Sequence, residues 1–331
     1  MILVTGAAGH IGNVLVRELL SDGRQVRVLI LPGEDVSSLE GQDVEIVEGN
    51  VLDLASLDAA MQGIELVFHL AGIISILPDS DAIMRQVNVE GTRNVLLAAR
   101  KADVKRLVYT SSIHALSRDW KGKIDERVPF DPHNPAGDYD RTKAEASLLV
   151  MDAVKNGLDA VIVCPTGVIG PYDYRGSEMG DLLRGWLRKK PHLLIEGAFD
   201  FVDVRDVARG HILAAERGRC GEVYILSGFQ IKFFKLKQMV QDVLGHHTLT
   251  IHVPTWLAKW SCSVMPFFYR LTRRTPKFTE YSMETVQSNS DISNRKARRE
   301  LGYRPRRLAA TVGDTVRWWL LHEQNDKTPG K

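Results

Sequence analysis

The chain has 331 residues, 44% of them hydrophobic and 25% charged, the balance of an ordinary globular protein with room for one large core or two smaller ones. Lys and Arg (43) nearly cancel Asp and Glu (41), and the formal charge of +2 exerts no general pull on nucleic acid. Three widely spaced cysteines (Cys164, Cys220, Cys262) match no metal-ligand spacing and read as reduced thiols in a cytoplasmic setting, and no apolar run reaches the length of a membrane span.

Met1 to Val4 reads as a short buried strand, and with the strand starting at Met1 or Ile2 no signal peptide is expected. A glycine turn follows at once, Gly6-x-x-Gly9-x-x-Gly12, and Ile11, Val14, Leu15 and Leu19 continue at helical spacing. Glycine lets the chain reverse and lets backbone N–H groups approach a pyrophosphate, which the positive end of the next helix also attracts. Strand, glycine turn and helix together predict a dinucleotide site; a turn that merely reverses the chain is the alternative.

The second apolar run, Val26 to Leu31, ends at Pro32-Gly33, about 20 residues after the glycine turn, where such folds read the cofactor ribose. An acid there favours NAD and an arginine NADP; Leu31 is neither, and Glu34 and Asp35 arrive slightly late. Further strands are predicted over Val44–Glu48, Leu66–Leu70, Arg106–Thr110, Ala160–Cys164 and Glu222–Leu226, and helices over Ser56–Met61, Arg85–Lys101 and Tyr139–Asn156. This alternation implies a parallel sheet covered on both faces, with ligand beyond the carboxyl ends of its strands. That edge carries Gly6, Asp53, Ala71, Ser112 and Pro165. After Pro171 the alternation stops.

Tyr139 and Lys143 lie one turn apart on one helix face. A nearby ammonium favours the phenolate and lowers the phenol pKa, so the pair is expected to exchange a proton with a hydroxyl or carbonyl; an exposed surface pair is the alternative. Ser111 and Ser112 end a strand at the crevice, where one hydroxyl could donate to a substrate oxygen or simply satisfy a loop. His114 either contacts substrate or packs, and Asn88 either lines the crevice or holds a backbone bulge.

Thr5-Gly-x-x-Gly-x-x-Gly12, the strand-end serines and Tyr139-x-x-x-Lys143 together resemble the extended short-chain dehydrogenase/reductase family. Asp53-Leu54, His69-Leu70-Ala71-Gly72, Asn88-Val-x-Gly-Thr92 and Phe201-Val-Asp-Val-Arg-Asp-Val207 also match its pattern, which covers the chain to about residue 210. The resemblance implies a Rossmann-type doubly wound α/β sheet with a smaller C-terminal substrate-binding domain and an NAD(P) cofactor; a weak lean to NAD comes from Glu34 and Asp35, which either reach a ribose hydroxyl or form a solvated loop. It implies that Ser112 orients the substrate oxygen, Tyr139 is the acid/base and Lys143 also holds the nicotinamide ribose. It assigns the cofactor to Gly6, Gly9, His10, Ile11, Gly12, Leu31, Asp53, Leu54, Leu70, Ala71, Gly72, Pro165 and Val168, with Tyr139 and Lys143. Substrate is expected near Ser111, His114, Tyr172 and Arg175, and a homodimer through the helices beginning near Arg85 and Tyr139.

Ile113-His114 after Ser112 departs from the Asp-Glu pair of sugar-nucleotide dehydratases. Tyr109-Thr-Ser-Ser-Ile113 is similar to 3β-hydroxysteroid dehydrogenases, and Pro165-Thr-Gly-Val-Ile-Gly-Pro171 to the dihydroflavonol-reductase-like group. Three functions follow: an NAD(P)-dependent oxidoreductase acting on a small-molecule hydroxyl or carbonyl, an NAD-dependent epimerase of a nucleotide-activated sugar, and a nicotinamide sensor without turnover. Residues 1–170 are expected to form the dinucleotide domain, with 201–225 returning to it, 171–200 and 226–290 the substrate part, and 291–331 terminal helices and tail. A stripe of Trp256, Trp260, Val264, Phe267, Phe268 and Leu271, followed by Arg270, Arg273, Arg274 and Lys277, reads as a lid, a packing element or a segment resting on a membrane surface. Arg295, Lys296, Arg298 and Arg299 read as a solvated helix face.

Overall fold

The computed structural model describes residues 1–74, 81–254, 257 and 289–325. Six short, mostly apolar runs form strands β1 (Ile2–Thr5), β2 (Val26–Ile30), β3 (Glu45–Glu48), β4 (Leu66–His69), β5 (Arg106–Thr110) and β6 (Ala160–Pro165). They are followed by β7 (Gly167–Ile169), β8 (His192–Ile195), β9 (Ala198–Asp203), β10 (Val223–Leu226), β11 (Phe229–Lys232) and β12 (Thr250–Val253). The first six and β10 make one seven-stranded sheet in the order β10-β6-β5-β4-β1-β2-β3, parallel throughout. The order reverses direction at β1, so the crevice opens between the ends of β1 and β4. Thr5 is level with Leu29 on one side and His69 on the other, which brings three carboxyl ends to a common edge.

Side chains alternate across this sheet and fill two cores. Val4, Val28, Phe68 and Val161 belong to one core together with α1 (His10–Ser21), while Leu3, Leu29, Val67, Leu107 and Ile162 belong to the other together with α2 (Leu54–Ala60). The predicted Arg85–Lys101 helix is in fact three pieces: α3 (Asp81–Arg85), a π-helical turn (Gln86–Gly91) and α4 (Thr92–Lys101). Hydrophobic spacing cannot show a single inserted residue, so the π turn is invisible in the pattern. α4 and α5 (Asp138–Lys155) complete the second core, and α7 (Val204–Arg217), which follows α6 (Glu178–Trp186), joins α1 on the first.

β9 pairs with β7 and β11 in a separate three-stranded sheet, and β8 pairs with β12. A third core there gathers Leu183, Trp186, Phe199, Phe201 and Leu236, the last from α8 (Phe233–Leu244), with Val312 and Val316 of the last helix (Leu308–Asn325). The Phe201–Val207 motif stitches these parts together. Asp203 caps α7 by accepting from the Arg205 N–H (2.8 Å), and Asp206 accepts from Arg306 N (2.7 Å) and Nε (2.9 Å), which fixes the chain ahead of the last helix. One cation departs from the solvated face expected of residues 295–299. Lys296 donates to the Val223 carbonyl (2.7 Å), pairs with Glu222 and lies 4.8 Å from the Tyr224 ring, because its alkyl stem can cover the sheet edge while its charge finds partners. Among the described residues no helix is long and apolar enough to cross a membrane, and Trp256 to Lys277 lie outside them except for Leu257.

Candidate active site

The glycine turn is built by close approach. Gly6 has φ +69°, and a Cβ there would stand 2.7 Å from Ala71 N. At Gly12 a Cβ would stand 2.1 Å from the Gly6 carbonyl oxygen, so α1 can seat against the turn only with glycine. Gly9 caps α1 without a side-chain hydrogen bond, and the first turn carries no acid, so its N–H groups and positive end face the crevice. Ile11 lies in that first turn, and His10 Nε2 donates to the Pro171 carbonyl (3.0 Å), tying the turn to the segment after β7. Burial holds the His10 pKa below its usual value, against the pull of nearby Asp173.

A hydrogen-bond chain fixes the wall beside this turn. The Ala71 N–H donates to Thr5 Oγ1 (3.1 Å), Thr5 Oγ1 pairs with His69 Nδ1 (2.8 Å), and His69 Nε2 pairs with Thr92 Oγ1 (3.0 Å). Thr92 spends its own proton on the Asn88 carbonyl (2.7 Å), so it accepts from His69, and Thr5 donates to the other ring nitrogen. His69 is therefore a neutral strut, and burial takes its pKa down to about 3. Asn88, inside the π turn, accepts from Ile73 N (2.8 Å) and donates to the Ile73 carbonyl (3.0 Å) and Thr142 Oγ1 (3.1 Å). It thereby anchors Leu70, Ala71 and Gly72 at the crevice and ties them to α5 one turn beyond Tyr139. Asp53 caps α2 at the same edge by accepting from Ala55 N (3.0 Å), with Leu54 exposed beside it.

Tyr139 and Lys143 do share a face of α5, but the phenol is not lowered as expected. Lys143 turns inward: its ammonium donates to the Thr110 carbonyl and lies 4.5 Å from the Tyr109 ring. Burial brings its pKa down to about 7. Tyr139 is pushed up to about 12 by burial, opposed by a hydrogen bond with Ser112. The sequence rule assumed an ammonium aimed at the phenol; in the free protein the Thr110 carbonyl competes for it.

Ser112 caps a short turn (Ile113–Ala115), accepting from His114 N (3.2 Å), while it holds Tyr139. Ser111 points elsewhere. Its hydroxyl meets Ser147 Oγ at 2.7 Å within the core of α5. His114 sits edge-on to Tyr139 (6.4 Å between ring centres) and stacks on Phe199 of β9 (5.8 Å, 12°). Arg118 Nη2 lies 3.2 Å from His114 Nδ1 and pairs with Asp140 (2.7 Å), whose side chain is fully buried. Burial, helped by Arg118, lowers His114 to about 4, so it is neutral with Nδ1 accepting. Arg118, Asp140 and Phe199 were not foreseen; only the adjacency of Asp140 to Tyr139 hinted at them.

Pro165 ends β6, and the next residue, Thr166, donates to Asp200 (2.6 Å), which also accepts from Gly228 N (2.8 Å). Burial raises the Asp200 pKa to about 6, and this clamp sets β9, hence Phe199, against the site. Val168 lies half-buried on β7. Tyr172 and Arg175 make their contacts with the region after β2 and with α1. The Tyr172 ring lies beneath the Arg17 guanidinium (5.0 Å), and Arg175 pairs with Glu34 (2.8 Å) near Leu31, at the end of β2.

Residues 2–227, about two-thirds of the chain, match the sequence profile of the NAD dependent epimerase/dehydratase family. The chain belongs to that family. It is 35% identical over 320 residues to sterol demethylase protein B of Methylococcus capsulatus, a match covering 96% of this chain and 97% of that protein. It is 32% identical over 270 residues to cinnamoyl-CoA reductase 1 of Oryza sativa (76% and 78% covered). The fold superposes on the crystal structure of gox2253 with a TM-score of 0.85, 31% identity and 97% and 98% of the two chains covered. This is an enzyme family whose cofactor is NAD, and the uncapped, acid-free start of α1 against a side-chain-free turn fits a dinucleotide pyrophosphate. Gly12→Ala is expected to drive α1 off the Gly6 carbonyl, costing about 1–3 kcal/mol of stability and abolishing dinucleotide binding. Thermal unfolding and calorimetric titration with NAD measure the two effects; unchanged binding would show that the turn does not cradle the pyrophosphate.

Proposed function

We propose that, within this family of oxidoreductases and epimerases, the protein is an NAD-dependent dehydrogenase or reductase that interconverts a hydroxyl and a carbonyl on an apolar, ring-bearing substrate. The observation that carries the reading is the aromatic wall of the site: His114 stacked on Phe199 and set edge-on to Tyr139. Flat apolar rings suit such a wall, and relatives named for a sterol and for cinnamoyl-CoA agree with it.

Bound nicotinamide supplies or takes the hydride. Ser112 donates to the substrate oxygen and orients it. Tyr139 removes the hydroxyl proton in oxidation and returns it in reduction. Lys143 releases the Thr110 carbonyl and turns toward the ribose and phenol side of the crevice, where its positive charge lowers the phenol pKa. Burial, helped by the Arg118 charge and against the pull of Asp140, keeps His114 neutral beside the phenol. The same reading includes a homodimer through α4 and α5, whose outer faces leave Leu97 and Leu148 exposed.

Purified protein is assayed for retained dinucleotide, then given NAD with a panel of steroid and aryl-carbinol alcohols. Exchangeable NAD and net NADH formation matched by ketone are expected. A tightly held NAD that never yields net NADH, together with inversion of a nucleotide sugar, would overturn the reading in favour of an epimerase.

A further inference from the structure

The β8–β12 sheet takes no part in the proposed reaction, and its polarity is the reverse of what burial rewards. The two strands run parallel, with Leu193 level with Ile251 and Ile195 level with Val253. Paired residues share a face and neighbours alternate. One face therefore carries His192, Leu194, Thr250 and His252, and the other carries Leu193, Ile195, Ile251 and Val253. The first face is the inward one. Leu194 enters the third core, Lys237 of α8 donates to Thr250 Oγ1 (2.5 Å), and His252 meets the Phe234 ring of α8 (5.5 Å between ring centres).

Polar groups gather on that inward side and satisfy one another. His192 Nε2 donates to the Gly185 carbonyl (2.9 Å), its Nδ1 accepts from Thr248 Oγ1 (3.0 Å), and Gln241 Nε2 donates to the same hydroxyl oxygen (2.6 Å). All four outward residues are aliphatic. Leu193 is 54% exposed and Ile251 45%, and Leu249, whose carbonyl accepts from the His192 N–H (3.0 Å), is 67% exposed. Buried polar groups are stable once hydrogen-bonded, but a contiguous aliphatic face gains nothing from water. Charge collects at one end of the face. Arg188, Lys189 and Lys190 are exposed and lead through Pro191 into β8, and none of the three pairs with an acid among the described residues. Parallel pairing sets them at the starting ends of both strands, while Glu196 lies past the far end of β8.

We propose that this face docks on an anionic phospholipid surface, with its aliphatic side chains among the acyl chains and Arg188, Lys189 and Lys190 at the phosphates. Exposed apolar area and adjacent basic side chains are the two contributions that hold a protein at such an interface. A second copy of this chain offers the aliphatic face but only Glu196 against three cations, whereas the lipid answers both. Phe199 of the aromatic wall follows Ile195 by four residues, at most about 14 Å of chain. Docking therefore brings the crevice close to a phase in which apolar rings dissolve.

The test is flotation of the full-length chain with vesicles of phosphatidylcholine alone and of phosphatidylcholine mixed with phosphatidylglycerol. The wild type is expected to bind the mixed vesicles at least about tenfold more tightly than the neutral ones. Leu193→Gln with Ile251→Gln should weaken binding about tenfold, and Gln at 188, 189 and 190 together about a hundredfold. Leu249→Gln repeats the apolar test without changing a strand residue, and an unchanged melting temperature shows that each variant is folded. Failure to bind the mixed vesicles, equal binding to the neutral ones, or binding that survives both sets of substitutions overturns the proposal. A concentration-dependent dimer that Ile251→Gln abolishes, with no vesicle binding, overturns it in favour of a second copy. Flotation is read without dinucleotide, so each of these failures leaves the dehydrogenase reading standing.

Discussion

Replacing Tyr139 by Phe is expected to lower the chemical step by about 10²–10⁴-fold while leaving NAD affinity within about threefold, the signature of a lost proton-transfer group and not of a lost binding contact. The phenol is half-buried, hydrogen-bonded to Ser112 and raised to about 12, so the free protein holds it as a neutral phenol. Alcohol oxidation needs the phenolate and should speed up as pH rises toward the phenol pKa in the complex. Carbonyl reduction needs the phenol and should slow over the same range. Single-turnover rates in both directions, measured against pH, test this directly. A Phe variant that keeps a tenth or more of the wild-type rate would remove Tyr139 from the chemistry.

The second expected result concerns Lys143, and its two halves run in opposite directions. Lys143→Met should remove most of the activity and yet raise the melting temperature at neutral pH. The lysine is buried, and its pKa falls to about 7 from an ordinary 10.5. Between those values the unfolded chain takes up a proton that the folded chain declines, so the folded state loses stability as pH drops through that window and levels off below about 7. Methionine has no such proton to decline. Against the gain stands the lost hydrogen bond to the Thr110 carbonyl, about 1 kcal/mol, which offsets only part of it. The difference between variant and wild type should shrink as pH approaches 10.5. An equal or lower melting temperature for Lys143→Met at pH 7 would mean that the hydrogen bond and the Tyr109 contact outweigh burial of the amine.

The parallel sheet was readable because buried parallel strands are short apolar runs, and Ile2–Thr5, Arg106–Thr110 and Ala160–Pro165 differ from the residues between them. The glycine turn was readable because Gly6 and Gly12 are demanded by contacts of 2.7 and 2.1 Å that any side chain would violate. Tyr139 and Lys143 were readable because four residues make one helical turn. What spacing could not give was direction. Lys143 and Tyr139 share a helix face, yet the amine prefers a carbonyl at the end of β5, which only the packed fold supplies. Arg175 pairs with Glu34, a partner 141 positions earlier in the chain, and no spacing rule shows such a contact. Arg118 and Asp140 escaped for the same reason: a buried ion pair between a loop and a helix leaves no periodic trace.

The π turn at Gln86–Gly91 has a consequence for how this enzyme can change. Deleting one residue there would give a straighter α-helix with better backbone geometry. It would also rotate everything on one side of the deletion by about 100° relative to the other. Asn88, aimed at Ile73, and Thr92, aimed at His69, could no longer both meet their partners. The irregular turn acts as a spacer between two addresses on one rod, and a redesign that rewarded helical regularity alone would erase the wall of the cofactor crevice while improving the helix that carries it.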